Sequence, residues 1–261
     1  MRVIACTKQT PDTAAKVEVK DGVVTWGDAP LVINPWDEYT VEEGLLLKEK
    51  HGATACSVIG MGGEPTKEAL KHAIAMGCDD AYLISDPALD NADSLLTSHA
   101  LAKAIGKMDD VGLVILGRQA IDGDTGNTAV QVGRRLGWNT LTFVYKILEI
   151  DFAAGTIKVA RLLEQGQQIC TGKLPAVISV VKDINEPRYP SFMGIRKAAK
   201  TEIVTWSGAD IGLDPAITAK VTWPEVSNLP VSTTQVEVIE GGSVQEKAEK
   251  LVEKLIADKV V

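Results

Sequence analysis

Short apolar runs alternate along this chain with stretches in which apolar residues return every three or four positions. Residues 2–8 are mostly β-branched and apolar and end at Lys8, ahead of the turn-prone Pro11-Asp12, so they predict a strand. Val23-Val24-Thr25-Trp26 and Leu31-Val32-Ile33 are shorter strand candidates. Asn34-Pro35 opens a helix over about 36–50, with Val41, Leu45 and Leu46 on one side and Gly52 past its end. The alternation continues through a strand at 54–61, a helix at 64–76, a strand at 81–84 and a helix at 94–106. The inward faces of those helices carry Ala69, Leu70, Ala73 and Ile74, then Leu95, Leu96, Leu101 and Ile105. Residues 111–116 form a continuous apolar run, the mark of a strand buried on both faces of a parallel sheet.

From about 140 to 182 the rhythm changes to strands with few helical signals, at 140–150, 155–163, 168–171 and 176–181. These predict an antiparallel extension of a doubly wound, mostly parallel α/β sheet whose ligands sit at the carboxyl ends of its strands. Residues 211–238 carry Pro215, Pro224 and Pro230 with no sustained period and read as an extended linker. A last helix starts at Ser243, with Glu246 at capping-box spacing and a stripe of Val244, Ala248, Leu251, Val252, Leu255 and Ile256. The expected division is an α/β domain over 1–225 and a C-terminal arm over 226–261. Such an arm needs a surface to lie on, either its own domain or another chain.

Composition narrows the function. Apolar residues make up 45% and charged residues 24% of the 261, an ordinary globular balance. Acidic residues outnumber basic ones 35 to 27, and a net charge of −8 does not favour nucleic acid as a partner. No apolar run reaches the ~18–20 residues of a membrane span, and no leader is visible before the first strand, so a cytoplasmic protein is expected. The four cysteines (6, 56, 78, 170) and three histidines (51, 72, 99) show no zinc or redox spacing. Metallohydrolases and thiol oxidoreductases therefore leave the front rank.

Two glycine-containing loops are candidates for a nucleotide. Gly60-Met61-Gly62-Gly63-Glu64-Pro65 joins a strand to a helix but lacks the last glycine of a dinucleotide fingerprint, and no Walker sequence occurs. The loop from Gly117 to Ala129 follows the most buried strand and precedes a helix reaching Leu136. Its small residues let amides approach an anion, the helix N-terminus favours negative charge, and Thr125 and Thr128 offer hydroxyls. Asp122 and Asp124 are poor phosphate neighbours unless they turn away to cap the loop or bind a ribose. A phosphate-binding loop and a capped structural turn both remain open on these grounds.

Over essentially its whole length the chain resembles the β subunit of electron transfer flavoproteins. The resemblance rests on Lys8-Gln9 with Pro11-Asp12, Asn34-Pro35-Trp36-Asp37-Glu38, Ala73-Ile74-Ala75-Met76-Gly77 and Gly117-Arg118-Gln119-Ala120-Ile121-Asp122. It continues through Lys173-Leu174-Pro175-Ala176-Val177 and Asn185-Glu186-Pro187-Arg188-Tyr189. The family's signature stretch maps to about 159–179, where Gln165 and Cys170 depart from the usual choices.

The resemblance implies a Rossmann-like domain in a heterodimer whose α subunit holds the redox-active FAD. The β subunit would bind AMP, or a second FAD in electron-bifurcating members. Its pocket maps to Cys6, Asn34, Pro35, Trp36, Asp37, Met61, Arg118, Gln119, Ala120, Ile121, Asp122, Gly123, Asp124, Thr125, Gly126, Asn127, Thr128 and Ala129. The loop from Gly123 matches only the first half of the bifurcating pattern, so both nucleotides stay open.

A recognition loop over about 187–200 would dock flavin-dependent dehydrogenases, such as acyl-CoA dehydrogenases, through Tyr189, Phe192, Met193, Ile195, Arg196 and Lys197. The bland alternative places Phe192 in the core under a surface helix. The C-terminal arm would pack on the α subunit. Electrons would pass on to a quinone reductase, ferredoxin or flavodoxin, with no catalytic acid, base or nucleophile in this chain. The rival function is a stand-alone adenine-nucleotide-binding sensor.

Overall fold

The computed structural model describes residues 1–230 and 236–260. It divides into two compact units, Met1–Val226 and Ser227–Val261. The first unit begins β1 (Arg2–Thr7), β2 (Gln9–Pro11), β3 (Glu18–Lys20), β4 (Val23–Thr25), β5 (Leu31–Ile33) and α1 (Pro35–His51). It continues β6 (Cys56–Met61), α2 (Lys67–Met76), β7 (Asp80–Ile84), α3 (Ser94–Gly106), β8 (Val111–Gly117) and α4 (Thr128–Leu136). Then come β9 (Asn139–Asp151), β10 (Thr156–Leu163), β11 (Gly166–Lys173), β12 (Ala176–Val180), α5 (Phe192–Ala198) and β13 (Val204–Trp206). The helix of the second unit is α6 (Val244–Ala257).

Nine strands share one sheet, in the order β11-β10-β9-β12-β8-β1-β6-β7-β13. All pairs from β12 to β13 are parallel. The chain builds outward from β1 through β6 to β7, then crosses back to lay β8 on the other side of β1. The carboxyl ends of β1 and β8 thus part at a topological switch point, the place where open α/β sheets bind ligands.

Alternate residues of the central strands feed hydrophobic cores on both faces of the sheet. Ile4, Cys6, Val114 and Leu116 meet Leu96, Ala100, Leu101 and Ile105 of α3 and Ala129 and Val132 of α4. On the opposite face Ala5 and Val58 meet Val41 and Leu45 of α1 and Leu70, Ala73 and Ile74 of α2. Burial on both faces is why β1 and β8 read as unbroken apolar runs.

Residues 176–181 were expected in the antiparallel extension, and the structure corrects this. β12 inserts between β8 and β9 and runs parallel to both. Its residues are all buried, so it carries no alternation by which periodicity could tell its direction. The antiparallel part is β9-β10-β11. β9 serves both regimes, its first half parallel to β12 and its second antiparallel to β10. The short strands before α1 leave the sheet altogether, β2 pairing with β5 and β3 with β4 as two small ribbons.

Helix ends follow local chemistry. Pro35 begins α1, and Gly52 ends it in the left-handed conformation, its N–H reaching Leu47 O. The Asp93 carboxylate caps α3 through Leu96 N at 2.8 Å, and its second oxygen accepts from Lys220 N and Val221 N. That ties part of the proline-bearing segment to α3. In the second unit Ser243 Oγ accepts from Glu246 N at 3.2 Å, while the Glu246 carboxylate accepts from Gly242 N at 2.8 Å, one residue beyond the N-cap amide of a reciprocal capping box. Lys254 pairs with Glu237 at 2.8 Å, and Val244, Leu251, Val252 and Ile256 of the α6 stripe are exposed.

Candidate functional site

The crevice lies where the chain leaves β1 at Thr7 and β8 at Gly117. Asp37, in the first turn of α1, is buried between the two strand ends. Its Oδ2 accepts from Lys8 N at 2.8 Å, and the Gly117 amide bonds to the same carboxyl. Burial lifts this carboxyl to about 7, desolvation outweighing the amides of Lys8 and Gly117 and the Asn34 side chain. Only glycine fits at position 117, because a Cβ would stand 2.5 Å from Asp37 Oδ1 and 2.8 Å from Trp36 Cβ.

Asn34 precedes α1, but its side chain makes no helix cap. Its Nδ2 donates to Gln119 O at 3.0 Å and its Oδ1 accepts from Ile121 N at 3.2 Å. A carboxamide supplies both the donor and the acceptor that this splint requires. The two aspartates of the loop also have protein partners. Lys8 Nζ lies 2.7–2.8 Å from both oxygens of Asp122, and Gln119 Nε2 donates to Asp124 Oδ1. Arg118 lies over the Trp36 and Phe143 rings, at 5.9 and 5.3 Å, and its amide donates to Val180 O.

Beyond this splint the backbone turns through the left-handed region at Asp124 (φ 50) and Gly126 (φ 61), exposed from Ile121 to Asn127, and enters α4. Asn127 makes no side-chain cap there. The first amides of α4 therefore have no partner within the helix, and the helix dipole makes their surroundings favourable to an anion. At the end of β1 the buried Thr7 Oγ1 has no hydrogen-bond partner among the described residues. Orphaned donors at a strand end and a helix start, with acids turned to other partners, suit the phosphate of a nucleotide.

The residues mapped to the pocket fall into groups. Asn34, Trp36, Asp37 and 118–124 form one hydrogen-bonded and stacked assembly on the α1 side. Cys6, Met61 and Ala129 lie on the apolar side of β1 that faces α3 and α4. Burial, then the Asp37 charge, pushes the Cys6 thiol up, so it is no thiolate nucleophile. Gly123, Thr125, Gly126, Asn127 and Thr128 form the approach to α4. Pro35 instead lines a cleft of about 370 Å³ with Asp12, Thr13, Leu31, Glu38 and His72.

Thr7, Lys8 and Gly117 were not among the residues mapped to the pocket. Lys8 stood in the sequence as the end of a strand and as part of the Lys8-Gln9 match, with no site role; its partner Asp122 is 114 residues away. Among the described residues no group of three His, Cys, Asp or Glu side chains is placed to hold a metal ion, and no helix is long and apolar enough to cross a membrane.

A second surface lies on α5. Tyr189, Phe192, Met193 and Ile195 are 94, 73, 70 and 53% exposed, so Phe192 is not a core residue in this structure. Arg196 is exposed beside them, whereas the Lys197 amine turns back to donate to Cys78 O at 2.7 Å.

The electron transfer flavoprotein domain model matches residues 21–211. The Acetobacterium woodii caffeyl-CoA reductase-Etf complex subunit CarD is 38% identical over 259 residues, covering 98% of both chains. The electron transfer flavoprotein subunit beta of Megasphaera elsdenii is 32% identical over 273 aligned positions, covering all of both chains. Protein FixA of Azotobacter vinelandii is 35% identical over 239 residues, covering 86% of this chain and 85% of its own.

Proposed function

The chain belongs to the electron transfer flavoprotein family, and we propose that it is the β-type subunit of a heterodimer that binds an adenine nucleotide at its switch-point crevice. The observation that carries this reading is the N-terminus of α4, left without a side-chain cap and reached from β8 beside β1 at the switch point of the sheet. The amides of 123–129 and the hydroxyls of Thr125 and Thr128 hold the phosphates. The apolar wall at Cys6 and Met61 receives the base. Asn34, Asp37 and Lys8 act from behind, keeping the loop in shape through the bonds described above. The nucleotide is AMP or a second FAD.

The redox-active FAD belongs to the partner α subunit, and that flavin accepts and releases the electrons. Residues of this chain supply binding, orientation and exclusion of water. The apolar stripe of α6 packs on the α subunit, and the exposed residues around Phe192 dock flavin dehydrogenases, of which acyl-CoA dehydrogenases are the proposed example. A quinone reductase, ferredoxin or flavodoxin takes the electrons onward.

The test is the nucleotide content of the heterodimer purified with its α subunit. One FAD plus one AMP, or two FAD, per heterodimer is expected. One FAD with no second adenine nucleotide would remove the assignment of the crevice.

A further inference from the structure

Residues 185–198 form a strap across α1 and α2 that is fastened at both ends. At its start Asn185 Nδ2 donates to Tyr39 O and Glu43 Oε2, each at 3.0 Å. Arg188 then closes a fork on two carboxylates of α1. Its Nε and Nη2 donate to Glu42 at 2.8 and 3.0 Å, and its Nη1 and Nη2 donate to Glu49 at 2.6 and 2.9 Å. Its backbone N–H also donates to Glu42, at 3.1 Å. Glu42 and Glu43 are both buried, a costly placement for adjacent carboxylates unless each is hydrogen-bonded.

The other end is held by shape. A Cβ on Gly194 would stand 2.0 Å from Ala75 O at the end of α2, so only glycine lets α5 lie this close. Ser191 caps α5 through Gly194 N at 2.9 Å, and Ala198 enters the core beside α2. Between the fastenings stand exposed Tyr189, Phe192 and Met193. Exposed Arg196 and Lys200 follow, a local basic rim on an acidic chain.

We propose that Arg188 and Gly194 are positioning residues that hold segment 189–193 in one conformation ready for a partner whose apolar pocket is rimmed by carboxylates. This rests on the docking reading above. A segment ordered before contact avoids the entropy loss that a mobile one meets on binding. The bidentate fork, rather than charge alone, sets the geometry at Arg188.

The experiment compares the wild-type heterodimer with Arg188→Lys and Gly194→Ala. Arg188→Lys keeps a cation beside buried Glu42, and Gly194→Ala disturbs the other end. Amide hydrogen exchange across 189–196 should accelerate roughly tenfold in each variant, with the sheet strands unchanged. With an acyl-CoA dehydrogenase that reduces the wild-type complex, KM for the dehydrogenase should rise roughly fivefold at unchanged kcat. Lysine should not rescue Arg188, since it cannot form the fork. Wild-type exchange across 189–196 in both variants would overturn the proposal. So would faster exchange with an unchanged KM, if Phe192→Ala in the same assay raises KM. A KM unmoved by Phe192→Ala instead overturns the docking reading on which the proposal rests, and the exchange rates alone then show whether the fastening is real.

Discussion

Asp37 places a carboxyl out of reach of water, between the amides of Lys8 and Gly117. Unfolded, it titrates at an ordinary 3.8; folded, desolvation lifts it to about 7. Between those values the folded chain keeps a proton that the unfolded chain has released. Its contribution to stability therefore falls as pH rises from about 4 to about 7, and is level on either side. Asp37→Asn resembles the protonated acid and removes this dependence. Urea titrations at pH 4, 6 and 8 should show the variant gaining on the wild type with rising pH, by an amount on the order of 4 kcal/mol. A difference that stays constant over this range would mean that Asp37 does not titrate there. At the same scale, Asn34 and Gly117 show why an amide and a bare Cα are needed beside it: one splints the loop, the other leaves room for the carboxyl.

The element at the crevice whose N-terminus lacks a side-chain cap is α4. Ala129, the last residue mapped to the pocket, is the obvious place to set an acidic side chain against a phosphate. The structure shows this to be a poor test, because the Ala129 side chain is buried against α3, and a carboxylate there would disrupt the core. Asn127 is exposed at the helix entrance and makes no side-chain cap. Aspartate is as good a capping residue as asparagine and complements the helix dipole, so Asn127→Asp should preserve or raise thermal stability. The same charge repels a phosphate at the helix start, and nucleotide affinity should fall roughly tenfold to a hundredfold. Calorimetric titration with AMP and with FAD, beside a melting curve, checks both halves. Wild-type affinity in the stable variant would place the phosphate elsewhere.

At the scale of the whole molecule, the buried hydrophobic residues among those described end at Ile211, and α6 contributes none. The unit Met1–Val226 thus carries the core without the arm. Removing residues 227–261 should leave a chain that melts cooperatively within ~2 °C of the full-length protein. A 14-residue helix is marginal by itself in water, so the exposed stripe of α6 needs a covering surface. Binding of the truncated chain to the α subunit should weaken by roughly tenfold or more. Equal affinity would assign the stripe another role, and a large loss of melting temperature would make the arm part of the core.

Periodicity and turn chemistry are local, and what they determine is local. Alternating strands and helices, the continuous apolar run at 111–116, the start of α1 at Asn34-Pro35 and the apolar stripe of α6 could all be read from neighbouring residues. Pairings between distant segments could not. β12 has the same apolar run whether its neighbours are parallel or antiparallel, and only its insertion between β8 and β9 settles the matter. Lys8 reaches Asp122, Asn34 reaches Gln119 and Arg188 reaches Glu42 across separations of 85 to 146 residues. Nothing in the order of residues marks those partners, because a charge or an amide looks the same beside solvent as beside its mate. The sequence determined which segments are strands, helices and glycine-bearing loops. Folding alone decided which strand ends open the crevice, which acids turn away from it and which arginine ties down the exposed strap, since these depend on distances that exist only once the sheet has closed.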